Sequence, residues 1–350
     1  MKKIILVFTV IAFIGANLKA QDTQDSTLVV AEGQEAEIAY NEGTELFKSK
    51  QFQASIDKFT EAISHNPDFA KAYLNRGSAK MELTQYPSAL QDLDSAIYKD
   101  ASLSDPYYMK GRIYNIQNKL DDALASYLKA EEKGYSEANL FYFSGVIYFQ
   151  KENYDEAINY FTKAIQKDSK HAFAYNDRGS AKRKKEDFDG AIADYEKATQ
   201  IDPKLALAYD NLSVVKAKKE DYDGAIAASN MAIKVKPDFH IAYNNRGSAY
   251  YHKGDYNKAI EDYNKAIMIK DDYAYAYNNL GNAKQKQKDY KGAVEAYNKA
   301  IELDAEYGIA YMNRAASREM LRDEKGACAD WKKAVELGVE QAKNFAAGCN

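Results

Sequence analysis

The sequence predicts an all-α protein built from nine helical hairpins of 34 residues each. Three observations support this fold class. Small residues recur every 34 positions in three columns, aromatic residues recur between those columns, and capping or helix-breaking residues fall between the expected helices. The nine periods follow one another without an insertion or a deletion, so every column keeps its place from the first repeat to the last.

The first 20 residues have the pattern of a secretory signal peptide. Two lysines precede an apolar run from Ile4 to Ile14, and small residues follow up to Ala20. The run is short for a membrane span. We therefore expect cleavage after Ala20, export to the periplasm or out of the cell, and no membrane span in the mature chain; an uncleaved anchor is the alternative. Residues 21–35 are a polar lead-in that we expect to be poorly ordered.

The register of the repeats comes from the columns of small residues, which are positions 8, 20 and 27 when a repeat is numbered 1 to 34. The repeats then begin at residues 36, 70, 104, 138, 172, 206, 240, 274 and 308, and the array extends to residue 338. Position 8 is occupied by Gly43, Gly77, Gly111, Gly145, Gly179, Ser213, Gly247, Gly281 and Ala315. Small side chains let two helices approach closely in a packed core, so each repeat is expected to fold as two antiparallel helices.

Aromatic and capping residues agree with this division. Aromatic residues at positions 4, 17 and 24 are expected to fill the core around the small residues. Position 16 is the expected N-cap of the second helix. It is Asp in five repeats, at Asp187, Asp221, Asp255, Asp289 and Asp323. None of the five prolines falls inside an expected helix, where proline is strongly destabilising.

The columns resemble the tetratricopeptide repeat, which places Gly and aromatic residues in its first helix and an Ala–x3–Phe pattern with a second Ala in its second helix. The resemblance covers residues 36–341. It implies a right-handed superhelical solenoid whose concave groove is lined by the first helices, at positions 2, 5, 6, 9, 12 and 13. Residues 339–350 are expected to form a capping helix and a tail.

Positions 7 and 23 vary together, which predicts that their side chains meet between the two helices of a repeat. Where position 7 is Arg, position 23 is Asp, and where position 7 is Leu, position 23 is Ala. The charged pairs are Arg76 with Asp92, Arg178 with Asp194, Arg246 with Asp262, and Arg314 with Asp330. The alternative is a row of arginines that binds anionic ligands. Lysines at position 11, such as Lys80 and Lys182, replace the family's Tyr and are expected to weaken the packing.

Position 6 carries the candidate binding residues of the groove. It is Asn in six of nine repeats, including Asn75, Asn211, Asn245, Asn279 and Asn313. A side-chain amide is both a donor and an acceptor, as is the peptide bond of an extended ligand. These residues are therefore predicted to bind a peptide backbone, and the alternative is a row of solvated amides.

Repeats 3 and 4 differ from the others in their groove positions. Tyr108, Met109, Tyr142, Phe143 and Phe149 would form an apolar patch there, and exposed apolar patches often mark partner sites. The alternative is that these side chains pack on neighbouring helices.

The two cysteines are predicted to form a disulfide. If the last helix folds back about residues 338 and 339, Cys328 and Cys349 lie opposite each other, and an exported protein resides in an oxidising compartment. Two cysteines alone are an improbable metal site. The four histidines share no helix face, and no catalytic motif or cofactor-binding motif is present. A net charge of −4 gives no reason to expect nucleic acid.

The sequence therefore predicts a non-catalytic interaction scaffold that binds an extended peptide or a partner protein in the concave groove. No metal, no small-molecule cofactor and no nucleic acid is expected. A holdase-like periplasmic chaperone and an adaptor for envelope polysaccharide remain as alternatives.

Overall fold

The computed structural model describes residues 23–349, with side chains from Gln34 onward. The predicted signal peptide, residues 1–20, lies outside this range. Within it, the chain is all-α, and its helices form nine hairpins followed by a C-terminal helix, which confirms the predicted fold class. The contacts divide the chain into two bodies, which we call the N-terminal body (up to Tyr135) and the C-terminal body (from Ser136).

The N-terminal body contains repeats 1 to 3, each with a first and a second helix. Its helices are α1 (Thr23–Lys48), α2 (Phe52–His65), α3 (Ala70–Glu82), α4 (Tyr86–Lys99), α5 (Asp105–Ile116) and α6 (Leu120–Glu132). Helix α1 begins at Thr23 and therefore includes most of the predicted lead-in, residues 21–35. The segment from residue 31 to 38 is rich in Ala, Glu and Gln, which favour the helix.

The C-terminal body contains repeats 4 to 9. Its first helices are α7 (Ala138–Gln150), α9 (Ala172–Lys184), α11 (Ala206–Lys218), α13 (His240–His252), α15 (Ala274–Lys286) and α17 (Gly308–Met320). Its second helices are α8 (Tyr154–Lys167), α10 (Phe188–Ile201), α12 (Tyr222–Val235), α14 (Tyr256–Ile269), α16 (Tyr290–Leu303) and α18 (Glu324–Glu336). A 3₁₀ turn (Glu340–Ala342) and α19 (Lys343–Ala347) follow. All six first helices begin at the first residue of a sequence repeat.

The small residue at position 8 lies against position 24 of the same repeat. A Cβ atom added at Gly111 would lie 2.5 Å from the ring of Tyr127, and one at Gly281 would lie 2.5 Å from the ring of Tyr297. No real side chain fits at such a distance, so the glycine is needed for the two helices to pack around the ring. Repeat 6 has Ser213 at position 8 and lacks the ring, since its position 24 is Ser229, whose Oγ is 2.7 Å from that of Ser213.

The three aromatic columns are not equally buried, although all were predicted to be core. Position 24 is fully buried in most repeats, as Tyr127, Tyr195 and Tyr297 show. Position 4 is half-buried in most repeats. In the four repeats with Arg at position 7, its ring lies under the guanidinium; the Arg178 Cζ is 5.4 Å from the ring centroid of Tyr175. Position 17 is also half-buried.

The predicted N-caps are present in the second helices. Asp187 Oδ1 accepts a hydrogen bond from the backbone N–H of Gly190 at 3.0 Å. Asp221, Asp255, Asp289 and Asp323 accept the equivalent bond in their own repeats. Each cap satisfies an N–H that has no partner inside the helix.

Candidate functional site

The structure brings together the arginines and aspartates that vary together. Arg178 Nε and Nη2 donate to the two carboxylate oxygens of Asp194 at 2.9 and 2.6 Å. The same guanidinium donates to the Thr162 hydroxyl of the preceding repeat at 3.1 Å. Two-pronged pairs of the same kind join Arg76 to Asp92, Arg246 to Asp262, and Arg314 to Asp330. Because the arginines are engaged inside the scaffold, they do not form a free anionic-ligand row.

The lysines at position 11 belong to the same network. Lys80 lies 2.7 Å from Asp92, and Lys182 lies 2.8 Å from Asp194. Both aspartates are buried. In repeats 2 and 5 the second cation therefore helps to neutralise a buried carboxylate, a role that the sequence did not predict.

The asparagines at position 6 form a ladder between successive first helices. Asn211 Nδ2 donates to Asn176 Oδ1, at position 5 of the preceding repeat, at 3.0 Å. The equivalent bonds are Asn75 to Tyr40, Asn245 to Asp210, Asn279 to Asn244, and Asn313 to Asn278. Between repeats 4 and 5 the direction is reversed, and the Tyr142 hydroxyl donates to Asp177 at 2.9 Å. One N–H of each amide is thus used to hold neighbouring repeats together, rather than being open to solvent or ligand.

Four of the acceptors of this ladder, Asn176, Asp210, Asn244 and Asn278, are buried, and two of all the acceptors are acids. Asp210 is 5% exposed, and burial raises its pKa to about 6. Burial also raises the pKa of Asp177, against the opposing effect of hydrogen bonds from Tyr142 and Asn176. An ionised carboxylate in such a position is costly, and the donated hydrogen bonds offset part of that cost.

The apolar residues predicted in repeat 3 lie in the N-terminal body. Tyr108 is buried and stacks on Tyr135, with ring centroids 4.4 Å apart. Met109 is half-buried and packs against the cluster around Met81 and Leu93. Tyr108 is therefore a core residue. This agrees with the alternative that it packs on neighbouring helices and does not form an exposed patch.

The apolar residues predicted in repeat 4 lie in the C-terminal body and are half-buried. The Tyr142 ring lies 5.9 Å from Phe161 and 5.5 Å from Phe143. Phe149 lies 5.6 Å from Tyr154 and packs on the core of its repeat. Part of each side chain is thus used for packing, and Phe149 also lines a cleft, which is described below.

A row of exposed apolar side chains at position 2 was missed by the sequence reasoning. Phe173, Leu207, Tyr275 and Ile309 expose 51, 48, 58 and 40% of their surface. They occupy equivalent places on α9, α11, α15 and α17. Position 2 is more varied in sequence than the Asn column at position 6, so the sequence alone gives it a weaker signal. We call these four residues the apolar row.

Two clefts open on the first helices of the C-terminal body. Cleft A has a volume of about 400 Å³, and cleft B has a volume of about 450 Å³. Residues of cleft A include Val146, Phe149, Phe161, Arg183, Leu207 and Asn211. Residues of cleft B include Arg183, Lys184, Glu186, Val214, Lys218 and His252. Arg183 lines both clefts, and Leu207 brings the apolar row into cleft A.

The predicted disulfide is formed between Cys328 and Cys349. It joins α18 to the end of the chain, just beyond α19. Phe345 of α19 stacks on Trp331, with ring centroids 5.3 Å apart. The C-terminal helix thereby covers the last hairpin.

Among the side chains of residues 34–349, no group of three or more His, Cys, Asp or Glu is placed to hold a metal ion. In the same range, no helix has the length and apolar character that crossing a bilayer requires.

Three family models of the tetratricopeptide repeat match the sequence. One matches residues 40–106 and 108–172, a second matches residues 179–219 and 247–288, and a third matches residues 274–307. No curated protein matches the chain.

Several solved structures share the fold. YrrB, described as a TPR protein with an unusual peptide-binding site, is 27% identical over 53% of this chain and 95% of its own, with a TM-score of 0.50. The C-terminal part of a TPR repeat-containing protein from Cytophaga hutchinsonii is 22% identical over 68% of this chain and 98% of its own, with a TM-score of 0.55. A tetratricopeptide repeat protein from Parabacteroides merdae is 20% identical over 71% of this chain and 98% of its own, with a TM-score of 0.52. The last two likenesses show the fold alone. The chain belongs to the tetratricopeptide-repeat family, whose members are typically non-catalytic scaffolds for protein–protein interaction.

Proposed function

We propose that this protein is a non-catalytic scaffold that binds an extended segment of a partner protein along the first helices of the C-terminal body, in clefts A and B. The main evidence for a binding surface on these helices is the apolar row. Phe173, Leu207, Tyr275 and Ile309 are large apolar side chains left exposed in one column of the repeat. About half of each of these side chains is left exposed, and this exposed apolar surface offers contact area to a partner.

The apolar row can contribute a substantial part of the binding free energy. Burying one side chain of this size stabilises a complex by about 1.5–3 kcal/mol. Two or three such contacts would offset much of the cost of ordering an extended segment. The likeness to YrrB, which is described as having a peptide-binding site, agrees with a peptide ligand.

The Asn ladder has a supporting role in this proposal. It ties each first helix to the next, so the spacing of the apolar row is set before a ligand arrives. Such preorganisation lowers the entropic cost of binding. In the described part of the chain, the side-chain oxygens of Asn211 and Asn245 accept no hydrogen bond, so they can accept one from a ligand backbone N–H.

We further propose that the protein acts outside the cytoplasm, since it combines a signal-like N-terminus with a disulfide. Intact-mass measurement of the protein isolated from the periplasm or the medium tests this. A mature chain that starts at Gln21 and carries no free thiol is expected. Retention of residues 1–20, or recovery of the protein only from the cytoplasm, would contradict the proposal.

The binding proposal is tested with peptides selected from a random twelve-residue phage library on the full mature chain. Fluorescein-labelled copies of the selected peptides are then titrated by fluorescence anisotropy. Leu207→Ala is expected to weaken binding roughly tenfold or more, since it removes most of one buried apolar contact. Phe173→Ala is expected to act in the same direction.

The matched control is Met268→Ala, which removes another exposed apolar side chain. Met268 is 68% exposed on α14, a second helix, so its loss should leave affinity unchanged. Selected peptides whose affinity responds to Met268→Ala but not to Leu207→Ala would show that another face binds.

A further inference from the structure

We propose that the ligand of clefts A and B is an acidic segment, in which Asp or Glu side chains alternate with apolar ones. This inference rests on the proposed binding function and adds the chemistry of the partner. It follows from which cations of the C-terminal body are ion-paired and which are not.

Most lysines that flank the groove positions in the C-terminal body are neutralised by acids of the second helices; Lys284, at position 11 of repeat 8, forms no ion pair with a described residue. At position 11, Lys182 pairs with Asp194 at 2.8 Å, and Lys216 pairs with Glu196 at 3.2 Å. At position 14, the pairs are Lys185 with Asp155, Lys219 with Asp189, and Lys253 with Asp223. The acidic residues of the second helices therefore pair with cations at positions 11 and 14, on either side of groove positions 12 and 13.

Cations at positions 12 and 13 have no such partner. Arg183, Lys184, Lys218 and Lys286 form no ion pair with any described residue of the chain. Three of the four line cleft B, together with His252. A repeat that neutralises lysines at positions 11 and 14, yet leaves its groove cations unpaired, keeps positive charge where a ligand would bind.

The acids near the clefts do not cancel this charge. Glu186 is the one acidic residue of cleft B, against three permanent cations. Asp177 lines cleft A, but burial raises its pKa, which favours its uncharged form, although hydrogen bonds from Tyr142 and Asn176 oppose that effect. The whole chain has a net charge of −4, so the sign of the charge in cleft B is opposite to that of the protein. Such a local reversal favours a negatively charged partner.

Arg183 is the residue most directly adapted to a carboxylate. It is half-buried at the junction of the two clefts, close enough to Tyr195 and Asp210 for its charge to oppose the burial that raises their pKa values, and its Nε has no hydrogen-bond partner in the described chain. A buried donor left unsatisfied is costly, and a carboxylate can satisfy a guanidinium with two parallel bonds. Leu207 shares cleft A with Arg183. A ligand that binds Arg183 through an acidic side chain can therefore place an apolar side chain against Leu207.

An acidic peptide fits these clefts better than a nucleic acid. Nucleic-acid sites use an extended basic surface, whereas here three cations (Arg183, Lys184 and Lys218) line clefts whose apolar residues include Val146, Phe149, Leu207 and Val214. Clefts that combine cations with apolar side chains are complementary to a peptide in which acidic and apolar residues alternate.

The test uses a fluorescein-labelled twelve-residue peptide in which Glu alternates with Leu or Phe, and its counterpart with Gln in place of every Glu. Both are titrated against the full mature chain by fluorescence anisotropy, at low and at high NaCl concentration. We expect the Glu peptide to bind at least tenfold more tightly than the Gln peptide at low salt, with a smaller difference at high salt. Arg183→Gln should weaken the Glu peptide about tenfold and leave the Gln peptide unchanged, and Arg183→Lys should restore part of the loss.

Lys219→Gln is the matched control, because Lys219 is already paired with Asp189, and it should change neither titration. Circular dichroism melts confirm that each variant remains folded. Equal affinity for the two peptides, or an equal effect of Arg183→Gln on both, would overturn the acidic assignment. So would a twelve-nucleotide oligothymidine that binds as tightly as the Glu peptide and responds to Arg183→Gln.

Leu207→Ala separates this inference from the function on which it rests. If both peptides bind equally and both are weakened by Leu207→Ala, the groove binds peptides without selecting acidic ones. If neither peptide binds, and selected library peptides are insensitive to Leu207→Ala, the groove itself is not the binding site.

Discussion

Arg178 on α9 and Asp194 on α10 are joined by two parallel hydrogen bonds, and the same arginine reaches Thr162 on α8 of the preceding repeat. One side chain therefore connects three helices. The Asp194 side chain is only 6% exposed, and that of Arg178 is 15% exposed. A pair this shielded from water is expected to be sensitive to the loss of either partner.

Arg178→Ala is expected to lower the free energy of unfolding by about 3–5 kcal/mol, because it leaves a buried carboxylate without its main partner. The double variant Arg178→Leu with Asp194→Ala reproduces the pair found naturally at Leu212 and Ala228, and should recover most of the loss. Urea titration followed by circular dichroism measures both effects. Lys185→Ala is the control, since it removes a more exposed ion pair worth at most about 1 kcal/mol. A change for Arg178→Ala as small as that of the control would contradict this account.

Gly281→Ala is expected to destabilise repeat 8 by about 1–3 kcal/mol, because the new methyl group would overlap the ring of Tyr297. The same substitution should cost less in a Tyr297→Leu background, since repeat 2 already combines Gly77 with Leu93. A double-mutant cycle in urea measures the coupling. Additive effects of the two substitutions would show that the ring and the glycine do not constrain each other.

Asp210→Asn is expected to stabilise the protein above pH 6 and to reduce the dependence of its stability on pH. Because the pKa of Asp210 is about 6 in the fold and about 3.8 when exposed, the folded state holds the proton more tightly than the unfolded one. The wild-type protein should lose up to about 3 kcal/mol of stability from this residue as the pH rises from about 4 to 6. Asn can still accept the hydrogen bond from Asn245.

Urea midpoints of the wild-type and Asp210→Asn proteins at pH 4 and pH 8 test this expectation. Asp223→Asn serves as the control, because Asp223 has a largely exposed side chain, and its loss should have little effect at either pH. A difference between Asp210→Asn and wild type that is the same at both pH values would mean that Asp210 does not titrate in this range.

Reduction of the Cys328–Cys349 disulfide is expected to release α19 from Trp331. Since Trp331 is the only tryptophan of the chain, its fluorescence should shift to longer wavelength when dithiothreitol is added. Cys349→Ser should give the same shift without a reductant and should lower the melting temperature of the C-terminal repeat. An unchanged spectrum would show that packing of Phe345 holds the helix in place without the disulfide.

The period of the sequence was enough to predict the helices and the contacts inside a repeat. The glycine at position 8 and the Arg–Asp pair join positions separated by a constant 16 residues, so they appear as columns that vary together. The Asn ladder was not predicted, because Asn211 bonds to Asn176 across a repeat boundary, 35 residues away. Its signal was present, since Tyr142 and Asp177 change together where the ladder reverses.

The residues of the apolar row and the unpaired cations can be seen in the sequence, but their roles could not be predicted from it. Leu207 and Arg183 stand in columns of mixed composition, so neither column looked distinctive. The role of each residue depends on which nearby side chains already have a packing or ion-pair partner, and only the structure shows those partners.

Repeat 6 departs from its neighbours in two ways that act together. Its position 7 is Leu212, so it lacks the arginine that fastens one hairpin to the previous one, and Ser229 stands where other repeats insert a ring. In a repeat array, each repeat is stabilised by contacts with its neighbours, so the repeat with the fewest such contacts is expected to unfold locally first. Amide exchange in α11 and α12 should therefore be faster than in α9 and α10, which would give the walls of both clefts room to adjust as a ligand enters.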